Sequence, residues 1–192
     1  MRASEPAVIN ERSRRSRTPL ESNASCHALE EHDSAPPLSR AMKKSERLRA
    51  FVDQLPKTAA QADLDSRYTG YFACFNSAQY YEAHDVLEDL WLGERGPDYA
   101  FFKGLIQFAG AFVHLQKQAA RPNHPKDGRR LRPAVRLFEL ARANLAPFRP
   151  KHLRLDVDHV IALADRHVDT ISGSDYTENP WHPENAPRLN LA

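Results

Sequence analysis

The sequence predicts an all-α fold, a compact helical bundle of about five helices around a central apolar helix, with flexible tails. Three observations carry this prediction. Between the tails, apolar residues recur with the spacing i, i+3, i+4, i+7 of an amphipathic helix. No stretch alternates apolar and polar residues for long enough to indicate a strand. One segment, 97–118, is apolar on almost every side, which is typical of a helix surrounded by its neighbours.

The distribution of aromatic residues indicates where the domain begins. None of the nine Phe, six Tyr and two Trp precedes Phe51, and the first 44 residues hold four prolines. Such a segment buries too little apolar surface to offset the entropy lost on ordering. Trp181 and Leu189 are expected to dock the far end of the chain on the domain. We predict a disordered tail at 1–44, a docking helix and linker at 45–66, a helical domain at 67–172 and an extended C-terminal tail at 173–192.

Caps and stops mark the first helices. Ser45 and Pro56 enclose the docking helix. A second amphipathic stripe follows, and Asn76 is then predicted to cap the next helix, with Gln79 returning the hydrogen bond three residues later. That helix is expected to end before Gly93, because glycine commonly terminates helices.

Prolines and aspartates mark the later helices. Pro97 opens the central helix, and the segment 122–125 breaks it. Pro133 must lie in the first turn of the fourth helix of the domain or kink it, since proline lacks the backbone donor that a helix interior needs. Asp156 or Asp158 is expected to begin the last helix.

Composition excludes several classes of protein. Hydrophobic residues make up 41% of the chain and charged residues 27%, which is typical of globular domains. The most apolar run, 99–115, contains a lysine, a glutamine and a histidine, which argues against a membrane span. Cys26 and Cys74 form no disulfide framework, so a cytoplasmic location is expected. The net charge of +2 identifies no partner; we expect neither a membrane nor a nucleic acid, and a homo-oligomer stays open.

The helix after Asn76 carries a polar stripe. At about 100° per residue, side chains one turn apart share a line along a helix. At the edge of the predicted buried face, this line consists of Tyr81, His84, Glu88 and Trp91. Three further acidic residues fall on the opposite side and are predicted to face water: Glu82, Asp85 and Asp89.

The apolar central helix has few polar interruptions. Gln107 and His114 are seven residues apart and therefore lie on nearly one line of the helix. A buried polar group must be hydrogen-bonded or costs about 1–3 kcal/mol, so both residues need partners. Gly104 and Ala111 share that line. Their small size predicts either the close approach of another helix or a small cavity.

Two motifs in these helices resemble a known family. Phe75-Asn76 precedes Tyr81-Glu-Ala-His-Asp-Val-Leu-Glu-Asp-Leu-Trp91, and Gly104-Leu-Ile-Gln-Phe-Ala109 with His114 follows. The pattern resembles the domain-of-unknown-function 309 family, a small, mainly prokaryotic family with an EAHxxLExxW segment. The resemblance spans about 68–171 and implies a compact helical fold around a central helix, but no particular activity. Carried over by position, the family's polar signature falls on Glu82, His84, Glu88, Trp91, Gln107 and His114.

The residues leave three interpretations of this set open. His84, Glu88 and His114 could hold Zn(II), Fe(II) or Mn(II), with Gln107 in support. The same groups could act as an acid–base pair in a ligand pocket lined by Tyr81 and Trp91. They could also form a purely structural hydrogen-bond network. No catalytic motif is recognisable, so enzymatic activity is undecided and binding is favoured over catalysis.

Charge is segregated along the chain, which gives an alternative function. Residues 76–92 contain four acidic residues and no Lys or Arg, whereas residues 121–154 contain ten basic residues and two acidic ones. Arg129, Arg132 and Arg136 cluster within two turns and could contact phosphates. The alternative is therefore a protein- or nucleic-acid-interaction module that uses this arginine-rich helix. We favour neutralisation of these arginines by the acidic helix of the same or a neighbouring chain.

Overall fold

The computed structural model describes residues 62–192 together with Ala50, Val52 and Gln54. The predicted disordered tail and most of the predicted docking helix lie outside the described residues. Over 62–192 the chain forms five α-helices joined by short turns, and the all-α prediction is confirmed. The helices are α1 (Ser66–Asn76), α2 (Tyr80–Gly93), α3 (Tyr99–Ala120), α4 (Leu131–Leu145) and α5 (Val157–Gly173).

Helix α1 contributes buried aromatic side chains to the core next to the central helix. The Asp65 side chain caps it by accepting a hydrogen bond from the Arg67 backbone N–H at 2.8 Å. Its buried rings pack towards α3, and the Tyr71 hydroxyl donates to the Leu105 carbonyl oxygen at 3.0 Å. Cys74 is also buried, and burial raises the pKa of its thiol to about 11. This position is that of a packed residue, because nucleophilic cysteines have lowered pKa values.

The junction between α1 and α2 differs from the prediction. Asn76 is the last residue of α1 and does not cap α2, and Gln79 makes no side-chain capping bond. The Asn76 amide instead pairs with both backbone groups of Leu189, at 2.8 and 2.7 Å. The capping-box prediction is wrong because a distant backbone segment offers this amide a donor and an acceptor at once. Phe75 packs on Tyr80 across this junction, with ring centroids 5.0 Å apart.

Helix α3 lies at the centre of the bundle. It packs against α2 and α4, and its Phe108 and Phe112 contact rings from α1, α4 and, through His167, α5. Gly104 lets α4 come close, since a Cβ there would lie 2.7 Å from Cγ of Leu145. Of the two predicted uses for small residues on this line, close helix approach is therefore present. No described helix is long and apolar enough to cross a membrane.

The last part of the domain turns back on itself. Pro133 lies in the first turn of α4, where its missing donor is tolerated. A hairpin with strands of two residues each, β1 (Lys151–His152) and β2 (Leu155–Asp156), follows α4. Its strands are too short to be detected from sequence periodicity. Asp156, one of the two predicted starts, caps α5 by accepting from the His159 backbone N–H at 2.9 Å.

The C-terminal segment is docked on the helices. Trp181 is 5% exposed and Leu189 is 1% exposed. The Trp181 indole N–H donates to the Tyr80 hydroxyl at 3.0 Å, and the Asn179 amide donates to the Leu115 carbonyl oxygen at 2.9 Å. Both residues named by the sequence analysis thus bury their side chains, and the segment after α5 becomes part of the core.

Candidate functional site

His84 lies where three helices meet. It is half-buried near the start of α2, and its ring lies against α3 at Gly110. A Cβ at Gly110 would lie 3.8 Å from Cδ2 of His84 and 3.3 Å from Cδ1 of Leu137 on α4. The missing side chain therefore gives the imidazole room against the backbone of the central helix.

The burial of Asp85 differs from the prediction made from the sequence. This residue was predicted to face water, yet it is 6% exposed. The helical wheel gives only the direction of a side chain, whereas burial depends on what packs there. Oδ1 of Asp85 lies 3.3 Å from Nδ1 of His84. Asp89 also differs from its prediction, because its carboxylate is half-buried and pairs with Arg67 on α1 at 3.2 Å.

Glu88 completes a cluster of three potential metal ligands. One ligand atom each from His84, Asp85 and Glu88 lies within 4.8 Å of the other two. Glu88 is half-buried, and within the described part of the chain no hydrogen bond or ion pair involves its carboxylate. A partly desolvated carboxylate beside a second carboxylate is unfavourable unless a cation or a donor compensates it.

Trp91 lies one turn beyond Glu88 and carries an unsatisfied donor. Its Nε1 is buried and has no hydrogen-bond partner among the described residues. Its ring packs on Tyr99, with centroids 5.1 Å apart. At the other end of the stripe Tyr81 is 53% exposed, and Nζ of Lys117 lies 5.9 Å from its ring centroid. The stripe thus runs from an exposed ring to a buried N–H.

Gln107 and His114 make their described polar contacts with α4 and with the residue that precedes it. Oε1 of Gln107 accepts from the Asn144 amide on α4 at 2.7 Å. Nδ1 of His114 lies 3.4 Å from the Arg130 guanidinium, and burial together with this cation lowers the pKa of His114. Between these two residues and His84 or Glu88, all of which the structure describes, there is no hydrogen bond or ion pair. The described polar partners of Gln107 and His114 are therefore Asn144 and Arg130, and not His84 or Glu88.

The basic segment is neutralised locally. Asp127 is buried and accepts from Arg130 at 2.7 Å and from Arg121 at 3.2 Å, with His124 at 3.5 Å. The hydrogen bond from Arg130 holds the pKa of Asp127 below its ordinary value. We call this group the Asp127 cluster.

The partners of the arginines on α4 and after it are aspartates on or next to α5. Arg132 pairs with Asp175 at 3.8 Å, and Arg142 pairs with Asp165. None of these described ion pairs uses an acidic residue of α2. The sequence-based prediction had the acidic residues of α2, in the same or a neighbouring chain, as the counter-charge. Arg129 and Arg136 are exposed, and the structure describes no ion pair for either side chain.

Chemically, His84, Asp85 and Glu88, which we call the α2 cluster, offer one imidazole nitrogen and carboxylate oxygens in one place. Imidazole together with carboxylates suits Zn(II), Mn(II) and Fe(II). The same groups can exchange protons with a bound molecule, but no nucleophile is adjacent among the described residues. Sequence reasoning missed Asp85 because it was assigned to the solvent face. Its position next to the histidine was the available signal.

Residues 68–122 match the family described as Domain of unknown function (DUF309). This segment contains the whole α2 cluster, Trp91, Gln107 and His114. No curated protein and no solved structure matches the chain.

Proposed function

We propose that this chain, whose residues 68–122 match the family described as Domain of unknown function (DUF309), binds a divalent transition metal at His84, Asp85 and Glu88. The metal would hold a small ligand at its remaining coordination positions. Three protein ligands leave at least one position open in the geometries that Zn(II), Mn(II) and Fe(II) adopt.

One observation carries the proposal: a half-buried carboxylate, Glu88, lies within 4.8 Å of a histidine and a second carboxylate and has no described partner. Residues 76–92 contain no Lys or Arg, and Arg67 on α1 pairs with Asp89 rather than with Glu88. A dication held by these three groups would compensate the Glu88 carboxylate, which is how buried carboxylates are commonly compensated.

The structure changes which residues we include. From the sequence alone, His114 is a candidate metal ligand together with His84 and Glu88. Asp85 replaces His114 in the proposal because Nδ1 of His114 lies 3.4 Å from a guanidinium, a neighbour that disfavours a further cation. Gln107 is engaged by Asn144 and is left out for the same kind of reason.

Trp91 and Tyr81 give the bound ligand its surroundings. The buried Nε1 of Trp91 needs an acceptor, and an unmade hydrogen bond there costs about 1–3 kcal/mol. A ligand oxygen near the metal would supply that acceptor. The exposed ring of Tyr81 offers a flat apolar surface at the open end of the stripe.

Metal binding is tested on the untagged full chain. Its metal content is measured by elemental analysis after purification without chelator, and the stripped protein is titrated with Zn(II) and Mn(II) by calorimetry. We expect one site per chain. His84→Gln and Glu88→Gln should each weaken the metal by at least about tenfold, since even groups that only support a ligand contribute that much.

Two matched variants control this experiment. Glu82→Gln makes the same change on the same helix, and His159→Gln makes it on an exposed histidine of α5. Both should leave metal binding unchanged. Equal weakening by the control and site variants, or no binding of either metal at one equivalent, would refute the proposal and leave the α2 cluster as a structural group.

A further inference from the structure

A surface cleft lies away from the α2 cluster, where the end of α3, the start of α4 and the turn after α5 meet. Its volume is about 270 Å³, just under the range of about 300–1,000 Å³ typical of larger ligand sites. It therefore suits a small molecule. Its polar lining comes from Gln118, Arg129, Arg132, Asp175 and Tyr176.

Three hydrogen-bond donors from different parts of the chain line this cleft. Arg129 has no described ion pair, so its guanidinium is available. Arg132 is 70% exposed in its side chain and pairs loosely with Asp175 at 3.8 Å. Oε1 of Gln118 accepts from the Arg130 backbone N–H at 2.7 Å, which leaves the amide nitrogen of Gln118 as a donor.

The walls of the cleft are held in place. The turn that carries Arg129 packs so closely on the preceding segment that a Cβ at Gly128 would lie 2.0 Å from the Pro122 carbonyl oxygen. Glycine is required there. The ion pair between Asp127 and Arg130, at 2.7 Å, ties the same turn to α4. The donors thus stand on a rigid frame, which reduces the entropy lost when a ligand binds.

The opposite wall stores backbone strain. Asp175 and Tyr176 both adopt left-handed conformations, with φ of 50° and 62°. This region is unfavourable for a bulky residue such as tyrosine. The strained turn brings the Tyr176 ring to 3.8 Å from the Arg132 guanidinium carbon. The stack orients a guanidinium that is otherwise on the surface, and strain of this kind concentrates at binding sites.

We propose that this cleft binds the phosphate group of a small molecule. Two guanidinium groups and one amide can each reach a different oxygen of a tetrahedral phosphate, whereas a carboxylate has only two oxygens. The start of α4 lies in the lining and adds a favourable potential for an anion. The carboxylate of Asp175 lies next to Arg132, where the phosphate would bind. It is almost fully exposed and can rotate away without losing buried contacts.

The test uses calorimetric titration of the full chain with inorganic phosphate, glycerol phosphate and malonate. Saturable binding of a phosphate compound, tighter than malonate, is expected. Tighter binding of glycerol phosphate identifies a phosphomonoester as the ligand class, and equal binding identifies free phosphate. Arg132→Gln and Arg129→Gln should each weaken binding by about fivefold or more, as the loss of a charge-assisted hydrogen bond does.

Two further variants make the result decisive. Asp175→Asn should tighten phosphate binding about threefold, the size of one exposed ion pair, and asparagine tolerates the left-handed conformation. Arg136→Gln removes the same charge one turn further along α4, outside the cleft, and should change binding little.

Three results would overturn the proposal. One is the absence of saturable phosphate binding, or preference for malonate. Another is weaker binding in Asp175→Asn, since the carboxylate would then assist the ligand. The third is an equal loss in Arg136→Gln and Arg132→Gln. In that case the whole arginine face holds the anion, as it would a nucleic acid, and the salt dependence of duplex binding becomes the next measurement.

Discussion

The α2 cluster and the Asp127 cluster contain the same types of acidic and histidine residues, yet their charge balance is opposite. Asp127 has two guanidinium groups within 3.2 Å and His124 at 3.5 Å. Around His84 the structure gathers two carboxylates, and Glu88 has no described cation beside it. Asp127 is therefore paired with cations of its own chain, while Glu88 has no counter-charge among the described residues.

This difference shows what a histidine–carboxylate group needs in order to be a binding site. A carboxylate that already has its full set of donors stabilises the fold and has no capacity left for a ligand. A carboxylate that lacks donors costs free energy in the free protein, and a bound cation recovers that cost. The arginines of the loop before α4 thus decide the role of Asp127, and their absence from residues 76–92 leaves Glu88 available.

The largest expected contrast is in stability. Asp127→Asn should lower the melting temperature by several degrees, because two guanidinium groups lose their anion. Glu88→Gln, measured with chelator present, should change the free energy of unfolding by no more than about 0.5 kcal/mol. Thermal and urea melts of both variants measure this. A large loss in Glu88→Gln would mean that Glu88 belongs to a structural network after all.

Acid should act on the Asp127 cluster in the same direction. Arg130 lowers the pKa of Asp127 from its ordinary value of 3.8. The stability contributed by this carboxylate is therefore present above about pH 4 and is lost as the pH falls through the lowered pKa. Wild type should lose more stability than Asp127→Asn over that acidic range. Parallel losses in the two proteins would contradict the assignment.

A smaller effect is expected at His114 on α3, whose Nδ1 lies 3.4 Å from the guanidinium of Arg130, a residue of the Asp127 cluster. Burial first, and Arg130 second, lowers the pKa of His114 below 6.5. Arg130→Gln should therefore raise this pKa part of the way back, as measured by NMR titration of the ring protons. Because the folded pKa is lowered, His114 favours folding above about pH 6.5, and stability falls as the pH drops from there. Arg132→Gln is the matched control and should leave the titration of His114 unchanged.

The smallest effect is expected at Gly110. A Cβ there would make an ordinary contact with His84 and a tighter one, at 3.3 Å, with the end of Leu137. Gly110→Ala should leave metal affinity within about twofold and raise stability by at most about 1 kcal/mol, the gain in helix propensity. Gly104→Ala is the contrasting variant, since its Cβ would meet Leu145 at 2.7 Å and cost about 1–3 kcal/mol. A tenfold loss of metal in Gly110→Ala would place the ion against α3.

Much of the fold could be predicted because helices follow from local spacing. For Asp156, Pro133 and Gly104, residue type and position narrowed the prediction to two alternatives, and the structure has one of each pair. The capping role of Asn76 was mispredicted because its real partner is Leu189, far along the chain. A capping rule describes neighbours in sequence, whereas a side-chain amide bonds to whichever backbone group tertiary packing brings to it.

The candidate site was predictable only in part. Spacing placed His84, Glu88 and Trp91 on one line of α2, because one turn separates each from the next. It could not give the hydrogen-bond partners of Gln107 and His114, since a polar side chain on the central helix can bond to either neighbouring helix. Asn144 and Arg130 on the α4 side bind them. The hydrogen-bond partners of Gln107 and His114 therefore lie outside the two sequence motifs that contain these residues.

The sequence by itself determined the helical class, the apolar central helix and the polar stripe on α2, since each depends on contacts within one or two turns. Only the tertiary structure decided that Asp85 is buried, that Asp127 collects the arginines, and that Tyr176 lies against Arg132. The physical reason is range. Helix formation is set by neighbours within four residues, whereas the charge balance of a cluster depends on which distant segments fold against it.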